Sequence, residues 1–557
     1  MKTFTLLLVS GCFWLHPLCA QRYLAPVFAR NEIEVRKNVA YGRNPTLFTP
    51  QWQGIPILQQ LLMDVYLPVG DTESQRPLVL YFHTGNFQPF KNPDPSSPVQ
   101  LGYNGACSGQ RDDSAAVEIC TRLAQMGYVT ASCDYRLGWL PFVNNQWIRR
   151  YTLVNAVYRG IQDANTAIRF FRRSVAEENN QYGIDPDKIA LFGEGAGGFI
   201  SLNATLLDHY DKIPAAANGK FLWNPHVVVA NDPCAVDQIV PMVIEQVNGN
   251  PAGTTLGISP VTDPVNGCAV VRMDTLCYPN WPEYSSDFNL AVNLGGALLD
   301  TSWIDDASQN PQPALISFHV LNKWDVPYTS GNFNVLNAMP GWPVVEVQGS
   351  YLVHQRMEAA GQHEVFVNLK DNYLDLQINQ LNAFARSPVG TKNPLAALFP
   401  LITPVSFPDY ALNMPWEWTS FPGMPPIPGI TPGFTCNTNK AAAMPYIDTI
   451  IRFFAPRACF ALGLQGCIDQ VLNEKEPLAP NIDVLAAPNP ASAEFRFSSK
   501  NEILAIQIFD KTGRLVGNLP DVNVNSYTLQ RSGLNAGMYI VKLSFREGFV
   551  TTLVRFE

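Results

Sequence analysis

The sequence has few charges and no cluster of basic residues. Asp, Glu, Lys and Arg make up 15% of its 557 residues, and the formal net charge is -9. Because the Lys and Arg residues are scattered, the composition argues against a nucleic acid or an anionic membrane as partner. After residue 20 no apolar run is long enough to cross a membrane as a helix.

The common spacings of metal and cofactor sites are also missing. The sequence contains no C-x-x-C and no paired His-Cys spacing, and we found no phosphate-binding loop. The run Gly193 to Gly198 fits the dinucleotide pattern G-x-G-x-x-G, but no acidic residue ends a second strand at the required distance. We therefore predict no metal site and no cofactor.

The first twenty residues have the pattern of an export signal. Lys2 precedes an apolar run from Phe4 to Leu15, and a cleavage point follows Ala20. We predict a signal peptide over residues 1–20.

Cysteine usage agrees with export. Two of the eleven cysteines lie in the signal segment, which leaves nine in the mature chain. The short loops Cys268–Cys277 and Cys459–Cys467 are the easiest to close as disulfides. Cys120 and Cys133 fall in a predicted helix and strand, and we expect both to be buried free thiols.

Short apolar strands alternate with helices through the first two thirds of the chain. Pro77–Phe82, Tyr128–Asp134 and Lys188–Phe192 read as buried strands, and Thr152–Glu178 carries one apolar stripe at helical spacing. This alternation predicts an α/β fold, with a mostly parallel sheet and helices on both faces.

The segment Lys188–Ile200 reads as a strand, a tight glycine turn and a helix. It resembles the nucleophile elbow of α/β-hydrolases, normally G-x-S-x-G, in the G-E-S-A-G-G form of many carboxylesterases. Five of its six positions are kept, through Gly198, and glycine stands at the position of the serine nucleophile. In order, the segment reads Gly193, Glu194, Gly195, Ala196 and Gly197.

Other motifs extend the resemblance to carboxylesterases. His83-Thr84-Gly85-Asn86-Phe87 resembles the H-G-G-G-F loop, with Thr84 and Asn86 in place of two glycines. Asp134-Tyr-Arg136 resembles the signature that follows the next strand of the esterase sheet. The resemblance implies that oxyanion-hole donors would come from the backbone of Gly85, Asn86 and Ala196.

The positions of the catalytic acid and base are also changed. Esterases of this type read H-G-T-x-D-P-V-V-P-Y where this chain reads His319–Tyr328, which places Lys323 at the acid position and Asp325 two residues late. With Glu364–Leu369 as the last strand of the sheet, the base is expected just after Leu369. No histidine follows residue 363.

The resemblance therefore implies an esterase-lineage protein with a degenerate triad. We predict a catalytically inactive binding or structural protein. Its ligand is a small molecule such as an ester, or a glycan, or a cell-surface partner. The alternative is an active carboxylic-ester hydrolase that uses a different constellation, such as Asp325 or His83 with bound water.

Two predicted insertions interrupt the hydrolase domain, which we place at residues 21–475. Residues 208–288 lack a clean pattern, and residues 393–433 are rich in proline and contain Trp416 and Trp418. The second insertion is either an aromatic lid over a cleft or a structural wrap.

Residues 478–557 consist of short alternating runs separated by turns, which predicts a small all-β sandwich. Pro488-Asn-Pro490, Ile508–Val516 and Leu534–Val541 resemble the type A sorting domain of type IX secretion cargo, found in the Bacteroidetes. The resemblance implies the type IX secretion machinery as a partner and a secreted or outer-surface location. The alternative is an ordinary carbohydrate-binding sandwich.

Overall fold

The computed structural model describes most of the chain in two compact units, residues 1–468 and 469–557. The described residues are 22–49, 53–88, 109–229, 232–321, 323, 325–335, 342–369, 395–401, 417–418, 440–465, 467–468, 482, 484–488, 490–510, 515–531, 533–546 and 548–556. The predicted signal peptide, Cys107, Trp416 and most of the proline-rich insertion lie outside them. Within the described residues, no helix is long and apolar enough to cross a membrane.

The first unit is built from alternating strands and helices. Its described strands are β1 (Ile33–Thr46), β2 (Ile57–Pro68), β3 (Arg76–Phe82), β4 (Val129–Cys133), β5 (Ile184–Glu194), β6 (Leu222–Trp223), β7 (Val240–Pro241), β8 (Gly257–Asp263), β9 (Ala269–Cys277), β10 (Leu290–Leu294), β11 (Ala314–Val320), β12 (Ser330–Val335), β13 (Trp342–Gln348) and β14 (Leu398–Leu401). Its described α-helices are α1 (Ser114–Gln125), α2 (Gln146–Glu177), α3 (Ala196–Leu206), α4 (Pro225–Val228), α5 (Glu245–Asn248), α6 (Ser350–Ala359) and α7 (Lys440–Ala461).

Eight strands form the central sheet, in the order β1-β2-β4-β3-β5-β10-β11-β14. Only β2 runs against its neighbours, because β2 pairs antiparallel with both β1 and β4 while the other pairs are parallel. The predicted mostly parallel α/β-hydrolase sheet is therefore confirmed.

Helices cover both faces of this sheet. Every residue of β3, β4, β10 and β11 is buried, as expected for strands that lie between two helical layers. α2 packs against α3, and α1 packs against α7. The central part of α2 is buried almost all round, because the segment after residue 208 packs along it.

The prediction for the last strand of the sheet was wrong. Glu364–Leu369 forms a 3-10 helix, and the strand that pairs with β11 is β14. Alternating valines made the first segment resemble a strand, while Pro400 made β14 look like part of the proline-rich coil. Among the described strands β14 pairs only with β11, and a strand at a sheet edge tolerates proline because one row of its N–H groups needs no partner.

One of the two predicted disulfides was also wrong. Cys268 bonds to Cys234, and Cys277 is a buried free thiol. Cys268 directly precedes β9 and Cys277 is the last of its nine residues, so the extended strand, at about 3.3 Å per residue, holds them far apart. The Cys459–Cys467 disulfide is present, and Cys120 and Cys133 are buried free thiols as predicted.

The second unit is all β. Strands β15 (Val484–Ala487), β16 (Glu494–Ile503) and β19 (Val524–Gln530) form one antiparallel sheet, and β17 (Ala505–Asp510), β18 (Leu515–Leu519), β20 (Gly537–Phe545) and β21 (Gly548–Phe556) form another. Phe495 and Phe497 of the first sheet share one apolar core with Val541 and Leu543 of the second. This arrangement agrees with the β-rich tail that the alternating runs predicted.

Candidate functional site

The nucleophile elbow is formed, although its nucleophile is absent. β5 ends at Glu194, α3 begins at Ala196, and Gly195 joins them with φ 56° and ψ -111°. The Gly195 N–H donates to the Leu294 carbonyl over 2.9 Å. A Cβ on Gly193 would overlap the Gly197 carbonyl, so the turn needs glycine there. The backbone frame of an elbow therefore survives.

Thr84 occupies the space that a side chain at position 195 would need. A Cβ built on Gly195 would overlap the Thr84 hydroxyl oxygen and would lie 3.0 Å from Thr84 Cβ. Thr84 is itself buried, with 6% of its surface exposed. The two departures from the esterase motifs are thus in contact: the loop residue gained a side chain where the elbow residue lost one.

The loop that carries Thr84 keeps an unusual backbone. Gly85 has φ 120°, and a Cβ on it would lie 2.8 Å from Gly109 Cα. Asn86 has φ 53°, a left-handed conformation that asparagine tolerates better than most residues. Ala196, the third oxyanion-hole candidate, is the first residue of α3, so its N–H has no acceptor within that helix. The structure brings these three predicted residues to the same end of the sheet.

The segment Asp134-Tyr135-Arg136 positions this loop. The Tyr135 hydroxyl lies 2.9 Å from the His83 carbonyl and 3.2 Å from the Thr84 carbonyl. Arg136 forms a fully buried ion pair with Asp163 of α2, with Nε 2.8 Å from Oδ1. The segment following β4 is thereby tied both to the loop and to α2.

Glu194 lies beneath the elbow in a buried pocket. Its Oε2 accepts a hydrogen bond of 2.5 Å from the Tyr81 hydroxyl, and its Oε1 has no hydrogen-bond partner. Burial raises the pKa of Glu194 to about 7, against the opposing effects of Tyr81 and the Lys323 cation. A carboxyl group in this state changes its charge near neutral pH.

The acid loop after β11 carries a cation at the expected position. Lys323 Nζ donates to the Gly295 carbonyl over 2.9 Å and lies 3.4 Å from Asp325 Oδ2. Asp325 keeps one buried oxygen, Oδ1, without a hydrogen-bond partner. A positive charge stands at the acid position, and the charge of Asp325 is paired with it. This loop therefore cannot stabilise an imidazolium as a triad acid does.

His83 and His319, the two histidines of the esterase-like motifs, are buried and bonded to groups beside them. His83 Nδ1 lies 2.6 Å from the Thr84 carbonyl, and burial lowers the pKa of His83 to about 4. His319 contacts the Ser350 hydroxyl and the Val326 carbonyl, and burial lowers its pKa to about 3. Because β14 is the strand beside β11, a catalytic base would be expected after β14 rather than after Leu369. The sequence has no histidine there either.

Glu417, in the proline-rich insertion, lies at the N-terminus of α1. The Glu417 carboxylate accepts hydrogen bonds from the Ser114 N–H over 2.9 Å and from the Ser114 hydroxyl over 2.8 Å. Burial raises the pKa of Asp113 well above its usual value, and repulsion by Glu417 and Glu194 adds to the shift. Glu417 thus satisfies the first turn of α1, as the structural-wrap interpretation of this insertion requires.

Sequence reasoning missed two contributors to the site. It treated Thr84 only as a residue that restricts how closely the backbone approaches a ligand. The sequence does show that a side chain is gained at position 84 and lost at position 195 relative to the esterase motifs. The role of the Tyr135 hydroxyl had no sequence signal beyond the motif itself. Among the described residues, no group of three or more His, Cys, Asp or Glu side chains is placed to hold a metal ion.

Two family models match the chain. Residues 102–226 match the BD-FAE family, and residues 486–554 match the secretion system C-terminal sorting domain. No curated protein matches. The second match indicates type IX secretion to the cell surface or the exterior.

Solved structures similar to this chain include esterase 2 of Thermogutta terrifontis. Its apo form is 15% identical, with 60% of this chain and 82% of that chain covered and a TM-score of 0.28. Its propionate-bound form is 16% identical, with 60% and 81% covered and a TM-score of 0.28. Scores at this level support no conclusion about the present chain.

Proposed function

We propose that this chain, which joins an esterase-like α/β-hydrolase domain to a type IX sorting domain, is an exported binding protein without ester-hydrolysing activity. The observation that carries the proposal is the contact at the elbow. Position 195 has no side chain, and the Thr84 side chain fills the space that a nucleophile would occupy. Acyl transfer in this fold needs a hydroxyl or thiol at that point.

The surroundings of the elbow support the same conclusion. The acid position carries Lys323, bonded to Gly295 and Asp325. His83 and His319 are buried and bonded to groups beside them, and no histidine follows β14 in the sequence. The loop after β3 and the start of α3 are retained, and we infer that their backbone N–H groups bind a carbonyl oxygen of an ester or a hydroxyl of a glycan.

A hydrolysis assay on the full chain tests the proposal. With p-nitrophenyl acetate we expect no burst and no turnover above that of the Gly195→Ala variant. We also expect Gly195→Ser alone to stay inactive, because base and acid are missing as well. Robust hydrolysis that a serine-reactive phosphonate abolishes would refute the proposal.

A second candidate is an ester hydrolase with a different constellation. The observation that favours it is the pair of buried carboxylate oxygens without partners, Glu194 Oε1 and Asp325 Oδ1. A carboxylate in that state is available to take a proton from a bound water. Turnover that resists the phosphonate and is lost in Asp325→Asn or Glu194→Gln would select this candidate.

A further inference from the structure

Two buried histidines in the first unit have no hydrogen-bond partner. His354 lies on α6 and His363 follows that helix, with ring centres 4.8 Å apart and ring planes at 39°. All four ring nitrogens lack a partner. A buried polar group without a partner costs about 1–3 kcal/mol of folding free energy. Two such imidazoles in contact therefore indicate that a ligand binds between them.

The local chain holds both rings against the same helix. His354 and Met357 are three residues apart and both are buried, so they share the inner face of α6. The Gln362 N–H donates to the Met357 carbonyl over 2.9 Å, which brings the chain back beside the helix at His363. The Gln362 side chain donates to the carbonyls of Asp305 and Asn310, which fixes this turn.

The chemistry of this set suits a soft ion of low charge. Unprotonated imidazole nitrogens donate lone pairs to a metal ion, and the four nitrogens of these two rings have no other partner. Both rings are buried, and bringing a divalent ion into a buried site costs more than bringing a monovalent one.

The donor atoms and the ring spacing agree with that choice. A thioether together with imidazoles favours monovalent copper over zinc or magnesium. With metal–nitrogen bonds of about 2 Å, two imidazoles that share one ion have ring centres roughly 4.5–6 Å apart. The observed 4.8 Å lies within that range.

We propose that His354, Met357 and His363 bind one monovalent copper ion. The site uses no residue of the elbow, so it stands whether or not the cleft binds a ligand. No electron transfer is involved, since the ion binds and leaves in the same oxidation state.

The test measures metal retained by the full chain under anaerobic conditions. Copper(I) is supplied as its bathocuproine disulfonate complex, and silver(I) serves as a redox-inert second probe. The variants are His354→Leu, His363→Leu and Met357→Leu, with His226→Leu as the control because His226 is exposed. Removing an unbonded imidazole leaves no unsatisfied partner, so we expect the leucine variants to fold.

The unmodified protein should retain one equivalent more than His354→Leu or His363→Leu, whatever its thiols bind. Met357→Leu should weaken binding at least tenfold, and His226→Leu should change nothing. Equal stoichiometry in the unmodified protein and both histidine variants would overturn the proposal, as would unchanged affinity in Met357→Leu. X-ray absorption of the copper-loaded protein gives an answer independent of variants: a shell of two nitrogens and one sulfur supports the site, and a shell of sulfur alone overturns it.

Discussion

Replacing Gly195 by serine should destabilise the first unit unless Thr84 is shortened at the same time. A Cβ at position 195 would overlap the Thr84 hydroxyl and lie 3.0 Å from Thr84 Cβ. Overpacking of this kind costs about 1–3 kcal/mol. The backbone at φ 56° and ψ -111° adds strain of about 1–3 kcal/mol for a residue with a side chain. We therefore expect Gly195→Ser to lower the free energy of unfolding by roughly 2–6 kcal/mol.

A double-mutant cycle separates the two contributions. Thr84→Gly removes the steric overlap and leaves the backbone of residue 195 as it is. The cost of Gly195→Ser should then fall by about 1–3 kcal/mol in the Thr84→Gly background. Urea unfolding followed by tryptophan fluorescence suits this measurement, because the last tryptophan of the chain is Trp418 and the signal reports on the first unit alone.

Gly70→Ser is the matched control. Gly70 has φ 73° and no atom within 4 Å of its built Cβ, so serine there meets backbone strain without a clash. Its cost should be the same with and without Thr84→Gly. If Gly195→Ser and Thr84→Gly are additive within about 0.5 kcal/mol, the contact between the two positions does not carry the energy assigned to it.

Two buried titrations predict opposite pH dependences. Glu194 has a folded pKa of about 7, above its ordinary 4.5, so its stabilising contribution is present below pH 4.5 and is lost as pH rises through 7. Glu194→Gln should therefore raise the free energy of unfolding at pH 8 by up to about 3 kcal/mol, and a loss of stability at that pH would contradict this. Burial lowers the pKa of His363 to about 3 and that of His354 well below the ordinary 6.5, so stability is full above pH 6.5 and falls as pH drops. Between pH 7.5 and 5 the His363 ring should cost about 2 kcal/mol and the His354 ring should act in the same direction, so the double leucine variant should lose that part of the slope in urea unfolding. An unchanged slope in that variant would show that these two rings are not buried and neutral.

The elbow was readable from sequence because its chemistry is local. A buried strand, a glycine turn and a helix follow one another within thirteen residues, and Gly193 is needed inside that turn because a Cβ there would overlap the Gly197 carbonyl. The same holds for the oxyanion loop after β3 and for the segment Asp134–Arg136 after β4. Their positions along the chain fixed which end of a parallel sheet they share.

Predictions that depended on distant partners were less reliable. Cys268 was assigned to its near neighbour Cys277, yet the extended β9 separates these two, and Cys234 lies with its Cα 5.3 Å from that of Cys268. Glu364–Leu369 has the alternation of a strand, but β11 pairs with Leu398–Leu401 instead. Strand pairing is decided by what is adjacent in space, and a short edge strand with a proline has almost no signal of its own.

The sequence by itself determined the fold class, the export tail and the absence of serine, acid and histidine from the triad positions, because these follow from residue identity and local pattern. Only the tertiary structure decided what replaced them. It placed Thr84 in the space above Gly195, bonded Lys323 to Gly295, and set His354 beside His363. Each of these contacts joins residues whose separation along the chain carries no local periodicity, so only the packing of strands and helices could bring them together.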